Sequence, residues 1–66
     1  MKVEYDRKSD SIYIELRPSP VTESEEVKTD VVLDFDDDGQ VVGIEILRAG
    51  AHLSEGDLKE VLYVRS

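Results

Sequence analysis

The run Val31-Val32-Leu33-Asp34-Phe35-Asp36-Asp37-Asp38-Gly39-Gln40-Val41-Val42-Gly43-Ile44-Glu45-Ile46 decides the fold. Val31, Leu33 and Phe35 alternate with other residues on one side of the turn. Val42, Ile44 and Ile46 do so on the other. A period of two marks a strand with one face buried. Between the two runs stands Asp36-Asp37-Asp38-Gly39, a turn signal. Pairing Phe35 with Val42 also pairs Leu33 with Ile44 and Val31 with Ile46. That register leaves Asp38-Gly39 as the central pair. Asp-Gly suits a type I′ turn, in which both residues take positive φ. The expectation is a β-hairpin with Asp34 and Glu45 on its solvent side.

The same alternation appears upstream. Val3 and Tyr5 form one apolar pair of positions, and Ile12, Ile14 and Leu16 form another set. The polar segment Arg7-Lys8-Ser9-Asp10 separates them. Pairing Tyr5 with Ile12 also pairs Val3 with Ile14, which predicts a second hairpin with a four-residue loop. Arg17-Pro18-Ser19-Pro20 ends its second strand, because proline supplies no ladder donor. Residues 21–29 are compatible with a short edge strand or with an extended arm.

After Arg48-Ala49-Gly50 the period changes. Ser54 is a good N-cap, and Asp57 stands three residues on, in a variant of the capping box. Leu53 and Leu58 occupy the hydrophobic-staple positions. Leu58, Val61 and Leu62 fall on one helical face. A helix is expected over about residues 55–63, with a strand through Val61-Leu62-Tyr63-Val64 as the alternative. The predicted class is α+β: a small antiparallel β-meander of about four strands over residues 1–48, with one C-terminal helix packed on one face. All of it forms a single domain.

The expected core is Val3, Tyr5, Ile12, Ile14, Leu16, Val31, Leu33, Phe35, Val42, Ile44 and Ile46. Lys2, Glu4, Glu15, Asp34, Asp36 and Glu45 fall on the opposite, water-facing side. Four strands span roughly 19 Å, whereas one helix covers about 10 Å. Apolar surface is left over, and a homodimer is expected to bury it. Small domains need such support, and with no cysteine present disulfides and thiolate metal sites are excluded.

The formal net charge is −8, from 16 acidic and 8 basic residues. That sign opposes binding to nucleic acid or to an anionic membrane surface, both of which need Lys and Arg. It favours a basic protein partner. No apolar stretch follows Met1-Lys2-Val3-Glu4-Tyr5, so no signal peptide is read, and the apolar runs are too short to span a bilayer. A cytoplasmic location is expected.

Candidate sites are few. Asp34, Asp36, Asp38 and Glu45, with Gly39 in the turn, match the spacing of a calcium loop. Such a loop lies between helices, whereas both flanks here read as strands and Glu45 falls opposite Val32. An acidic hairpin turn is the simpler account. Asp34 and Glu45 have the residue types of an acid/base pair, yet a solvated face without a pocket argues against that use. His52, the single histidine, reads as a surface or packing residue, and Ser24 lacks a nucleophile-elbow context. Tyr13 suits either an interface anchor or a cross-strand packing role. Glu23-Ser24-Glu25-Glu26 suits a basic partner or simple solvation. No catalytic residues, no cofactor and no enzyme activity are predicted.

Three segments resemble a known family. They are Tyr5-Asp6-Arg7-Lys8-Ser9-Asp10-Ser11-Ile12-Tyr13-Ile14, then Ser24-Glu25-Glu26-Val27, then Val32 to Asp36 followed by Gly39 to Ile46. Their order over about residues 1–50 resembles the bacterial family catalogued as domain of unknown function 2283. The resemblance implies a small prokaryotic antiparallel-sheet protein, with no activity or catalytic residues to carry over. It also suggests an antitoxin-like role, since some members are encoded beside small toxin-like proteins. The tail after Leu53 lies outside the resemblance.

Overall fold

The alternating segments do become strands, and an additional one joins them. The structure, a computed structural model, describes the backbone of residues 1–64 and the side chains of residues 1–61. The strands are β1 (Lys2–Asp6), β2 (Ser11–Glu15), β3 (Glu23–Lys28), β4 (Val31–Phe35) and β5 (Val41–Ile46). Two helices follow, α1 (Ala49–His52) and α2 (Glu55–Val64). All strands pair antiparallel in one sheet of order β1-β2-β5-β4-β3. β5 therefore lies between the two hairpins. The chain leaves β2, crosses the end of the sheet and returns from the far edge. Pro18 and Pro20 cannot join a ladder. The crossing is pinned by Arg17, whose Nη2 donates to Asp36 Oδ2 at 2.6 Å, and by the Thr22 N–H on the Phe35 carbonyl at 2.8 Å.

The first hairpin has the expected register, with Val3 opposite Ile14 and Tyr5 opposite Ile12. The central hairpin agrees at Val31–Ile46 and Leu33–Ile44, but Phe35 pairs with Val41 rather than Val42. A register shift at Asp34–Phe35 leaves Val42 as the extra residue of a bulge. The turn differs for the same reason. Gly39 has φ 76°, whereas Asp38 does not take positive φ. The Gly39 N–H donates to the Asp36 carbonyl, and the Asp36 N–H to the Gln40 carbonyl, both at 3.0 Å. This is a three-residue loop with glycine in the left-handed position, not a type I′ pair. The Asp36 side chain accounts for the choice. Its Oδ1 accepts from the N–H groups of Asp38 (2.9 Å) and Gln40 (3.0 Å), which stabilises the longer turn.

Residues 23–28 form an edge strand, exposed along its whole length. The C-terminal segment is helical, as its cap predicts. The Asp57 N–H donates to Ser54 Oγ and the Ser54 N–H to Asp57 Oδ2, both at 3.1 Å. The Leu58–Val61–Leu62 face is described as far as Val61, since the Leu62 side chain lies outside the described residues. The short α1 was not foreseen. It begins after Arg48, whose φ of 48° turns the chain off the sheet.

The core is thinner than the alternation suggests. Among the described residues, Ile12, Val42 and Ala49 are the buried hydrophobics. Val3, Tyr5, Ile14, Val31, Leu33, Phe35, Ile44 and Ile46 are half-buried, and Leu16 is exposed. The reason is coverage: α2 packs against β1, at one margin of the sheet. Asp34 reverses expectation in the other direction, because only 2% of it is exposed although it lies on the polar face. No helix among the described residues is long and apolar enough to cross a membrane.

Candidate functional site

The polar face is built in rows fixed by the register. One row reads Glu4, Tyr13, Glu45, Val32, Glu26, and the next reads Lys2, Glu15, Gly43, Asp34, Ser24. Gly43 has no side chain, and Tyr13 leans diagonally into the space. A β-carbon at position 43 would lie 2.6 Å from Tyr13 Cζ and closer still to the hydroxyl. The tyrosine lies over the sheet, beside the Asp34 carboxyl. Ser24 Oγ donates to Asp34 Oδ1 at 2.6 Å from the other side. Glu45, diagonal to Asp34, holds its carboxyl beside that of Asp34.

The electrostatics follow from this packing. The neighbouring Asp34 carboxyl raises the Glu45 pKa above its ordinary value, and partial burial adds to the effect. Burial raises the Tyr13 pKa, followed by the charges of Asp34, Glu15 and Glu45. Asp34 and Glu45 are thus brought together as an acid/base reading would require, but Asp34 is closed off from water by Tyr13 and its neighbours. Two hollows among the described residues lie elsewhere. One, of about 130 Å³, is lined by Tyr5, Arg7, Glu55, Leu58 and Lys59. The other, of about 220 Å³, lies between Ser19, Pro20, Thr22 and Asp36 to Asp38.

The four carboxylates of the calcium-like spacing are divided between different tasks. Asp34 and Glu45 form the pair just described. Asp36 caps the turn and binds Arg17, while Asp38 stands exposed at the loop tip. The Gln40 N–H holds the Asp36 carboxyl below its usual range, with help from Arg17 and the Asp38 N–H. Among the described residues no group of three or more His, Asp or Glu side chains gathers to hold a metal ion. Glu45 does lie opposite Val32.

Two other polar clusters tie the sheet to its C-terminal extension. Asp30, left-handed at φ 67°, is largely buried at the β3–β4 turn. Its Oδ2 accepts from Arg48 Nε at 3.0 Å and meets His52 Nε2 at 2.9 Å. The Arg48 and then the His52 hydrogen bonds hold the Asp30 carboxyl below its usual range. His52 is therefore a partnered residue rather than a lone one. Sequence spacing gives no sign of this, because Asp30 and Arg48 meet only through the β4–β5 pairing. At the other end, Tyr5 Oη donates to Asp10 Oδ1 at 2.8 Å. Asp10 in turn accepts from the Gly50 N–H at 3.1 Å and, through its carbonyl, from the Ala49 N–H at 2.8 Å.

These ties give the opening Tyr-Asp…Asp segment its physical meaning. Tyr5 and Asp10 anchor the start of α1 beneath the first hairpin. Residues 2–49 match the family described as "Protein of unknown function (DUF2283)". The chain belongs to that family. The match ends at Ala49, the residue whose N–H meets Asp10, so the DUF2283 segment comprises the complete sheet. No significant match is found among curated proteins or among solved structures.

Proposed function

We propose that this DUF2283 chain is a non-enzymatic protein-interaction module. Two copies pair through the apolar sheet face, and the acidic surface of the pair engages a basic protein. The observation that carries the reading is the shortage of core: Ile12, Val42 and Ala49 are the buried hydrophobics among the described residues. Ile14, Leu33, Phe35 and Ile44, on strands other than the β1 against which α2 packs, keep water contact. A second copy supplies the missing layer, since two sheets pack face to face at about 10 Å. The broad face measures 36 by 27 Å and the thickness is 16 Å. A face of that size can supply the roughly 800 Å² per partner of a standard interface. The net charge of −8 supports a basic partner over nucleic acid or an anionic surface. An antitoxin-like role, in which the basic partner is neutralised, is one form of the same reading.

Sedimentation equilibrium at micromolar concentration tests the pairing. The native chain is expected as a dimer, and Leu33→Asp, which puts a charge in the centre of the face, as a monomer. A monomeric native chain would overturn the sheet-face interface. A pull-down from the native host that recovers no stoichiometric basic partner would count against the second half of the proposal.

A further inference from the structure

The sheet has two edges, and they differ. α2 packs against β1 at one. At the other, no strand among the described residues pairs with the outer side of β3, and all six of its residues are exposed. The phase of the ladder shows which backbone groups are free. The Leu47 N–H bonds the Asp30 carbonyl at 2.8 Å, one step beyond the Val31–Ile46 pair. In an antiparallel ladder, bonding and non-bonding pairs alternate. Val32 and Asp34 therefore bond toward β5, and Leu33 and Phe35 toward β3. Their partners Glu25 and Glu23 bond inward. The N–H and C=O groups of Ser24 and Glu26 then point out of the sheet.

Side chains decide what can pair there. Glu23 and Glu25 share the face of Phe35 and Leu33, while Glu26 lies on the opposite face with Ser24. A second β3 laid antiparallel on this edge meets itself badly. With Ser24 opposite Glu26, Glu25 faces Glu25. With Ser24 opposite Ser24, Glu23 faces Glu25. With Glu26 opposite Glu26, two more glutamates meet. Like charges directly opposite destabilise a strand pair, and opposite charges stabilise it. The edge is thus closed to its own copy and complementary to a strand bearing Lys or Arg. The bulge between Glu26 and Lys28 limits the pairing length to the acidic part of the strand.

The geometry points to the β3 edge as a strand-addition site, where an extended Lys/Arg-bearing segment of a partner protein joins the sheet as a sixth strand. This deepens the basic-partner half of the proposed function and rests on it, while remaining independent of the dimer.

The probe is a fluorescein-labelled ten-residue peptide of alternating Lys and Val, followed by anisotropy against the native chain. Three comparisons accompany it: the same peptide N-methylated at every residue, a Glu-for-Lys peptide, and the variants Glu26→Pro and Glu26→Gln. N-methylation keeps the charge and removes edge donors. Proline at position 26 removes an outward N–H without touching the inner ladder. Each is expected to weaken binding about tenfold, the worth of one or two hydrogen bonds. Glu26→Gln is expected to weaken it only about twofold to threefold, and the Glu-for-Lys peptide should not bind. An N-methylated peptide that binds as tightly as its parent would overturn strand addition, leaving simple charge attraction. Absence of binding by the Lys-Val peptide would overturn the site altogether. If Glu26→Pro loses its β-sheet circular dichroism, the N-methylated peptide on the native chain still decides. Sedimentation of the same samples separates the proposals: a dimer without peptide binding refutes the edge site alone, and a peptide-binding monomer refutes the sheet-face dimer alone.

Discussion

Gly43→Ala tests the packing of the polar face directly. A β-carbon there would lie 2.6 Å from Tyr13 Cζ, so the ring must swing off the sheet. Losing the hydroxyl's contact with Asp34 costs about 1 kcal/mol. Re-exposing about 40 Å² of ring, at about 25 cal/mol per Å², costs about another 1 kcal/mol. Alanine returns about 0.5–1 kcal/mol, because glycine in a strand loses more backbone entropy on folding. The net loss is therefore about 1 kcal/mol, or a fall in Tm of about 4–8 °C for a domain of this size. In a Tyr13→Ala background the ring is already gone, and the same substitution should stabilise by about 0.5–1 kcal/mol. The double-mutant cycle then has a coupling of about 2 kcal/mol. Urea unfolding of the four proteins at one fixed concentration measures it, the concentration mattering if subunits associate. Additivity within about 0.5 kcal/mol would show that Tyr13 does not occupy the space over Gly43.

The Glu45 pKa is raised in the fold, so the folded state binds the extra proton and stability falls as pH rises from about 4.5 through the folded value. Glu45→Gln removes the charge beside Asp34 and supplies a neutral amide donor. It should flatten that slope and gain up to about 1 kcal/mol at pH 7, read as Tm against pH. Asp30 has the opposite sign: its carboxyl is held low by Arg48 and His52. Its contribution is present above its ordinary value of 3.8 and is lost as pH falls below it. Asp30→Asn should lower Tm at neutral pH and shrink the acid-side loss, and an unchanged acid limb would refute the linkage. Ser54→Ala removes the reciprocal cap of α2 and should cost about 1 kcal/mol, with the helical ellipticity at 222 nm falling first on heating.

The alternation of Val3, Tyr5, Ile12 and Ile14 was sufficient to place the first hairpin residue for residue, because a slip of one position would expose every apolar side chain. The second hairpin was legible in its strands and not in its turn. Asp-Gly chemistry favours a two-residue loop, and the Asp36 carboxylate, by capping Asp38 and Gln40, favours a three-residue one. Residues 23–28 were ambiguous since all six are exposed, and an exposed strand carries no hydrophobic period. The burial of Asp34 was hidden for a related reason. Periodicity assigns a face, but it cannot show that Tyr13 leans across a glycine to seal part of that face. The Asp30–Arg48–His52 cluster depends on two left-handed residues at the ends of elements, and single-residue backbone inversions leave little trace in sequence.

The place of β5 between two hairpins has a consequence for synthesis. It is the last strand to be made and the one through which β1–β2 and β3–β4 become a single sheet. Until residue 46 is in place, the nascent chain holds two separate hairpins, each marginal in water. At about 5–20 residues per second, the first hairpin waits roughly 2–6 seconds for the strand that joins it to the other. During that interval Ile12 and Ile14 have no neighbour in β5. The chain is then most open to association with other chains, and the strand that ends the interval is the one that carries the buried Val42 and Gly43.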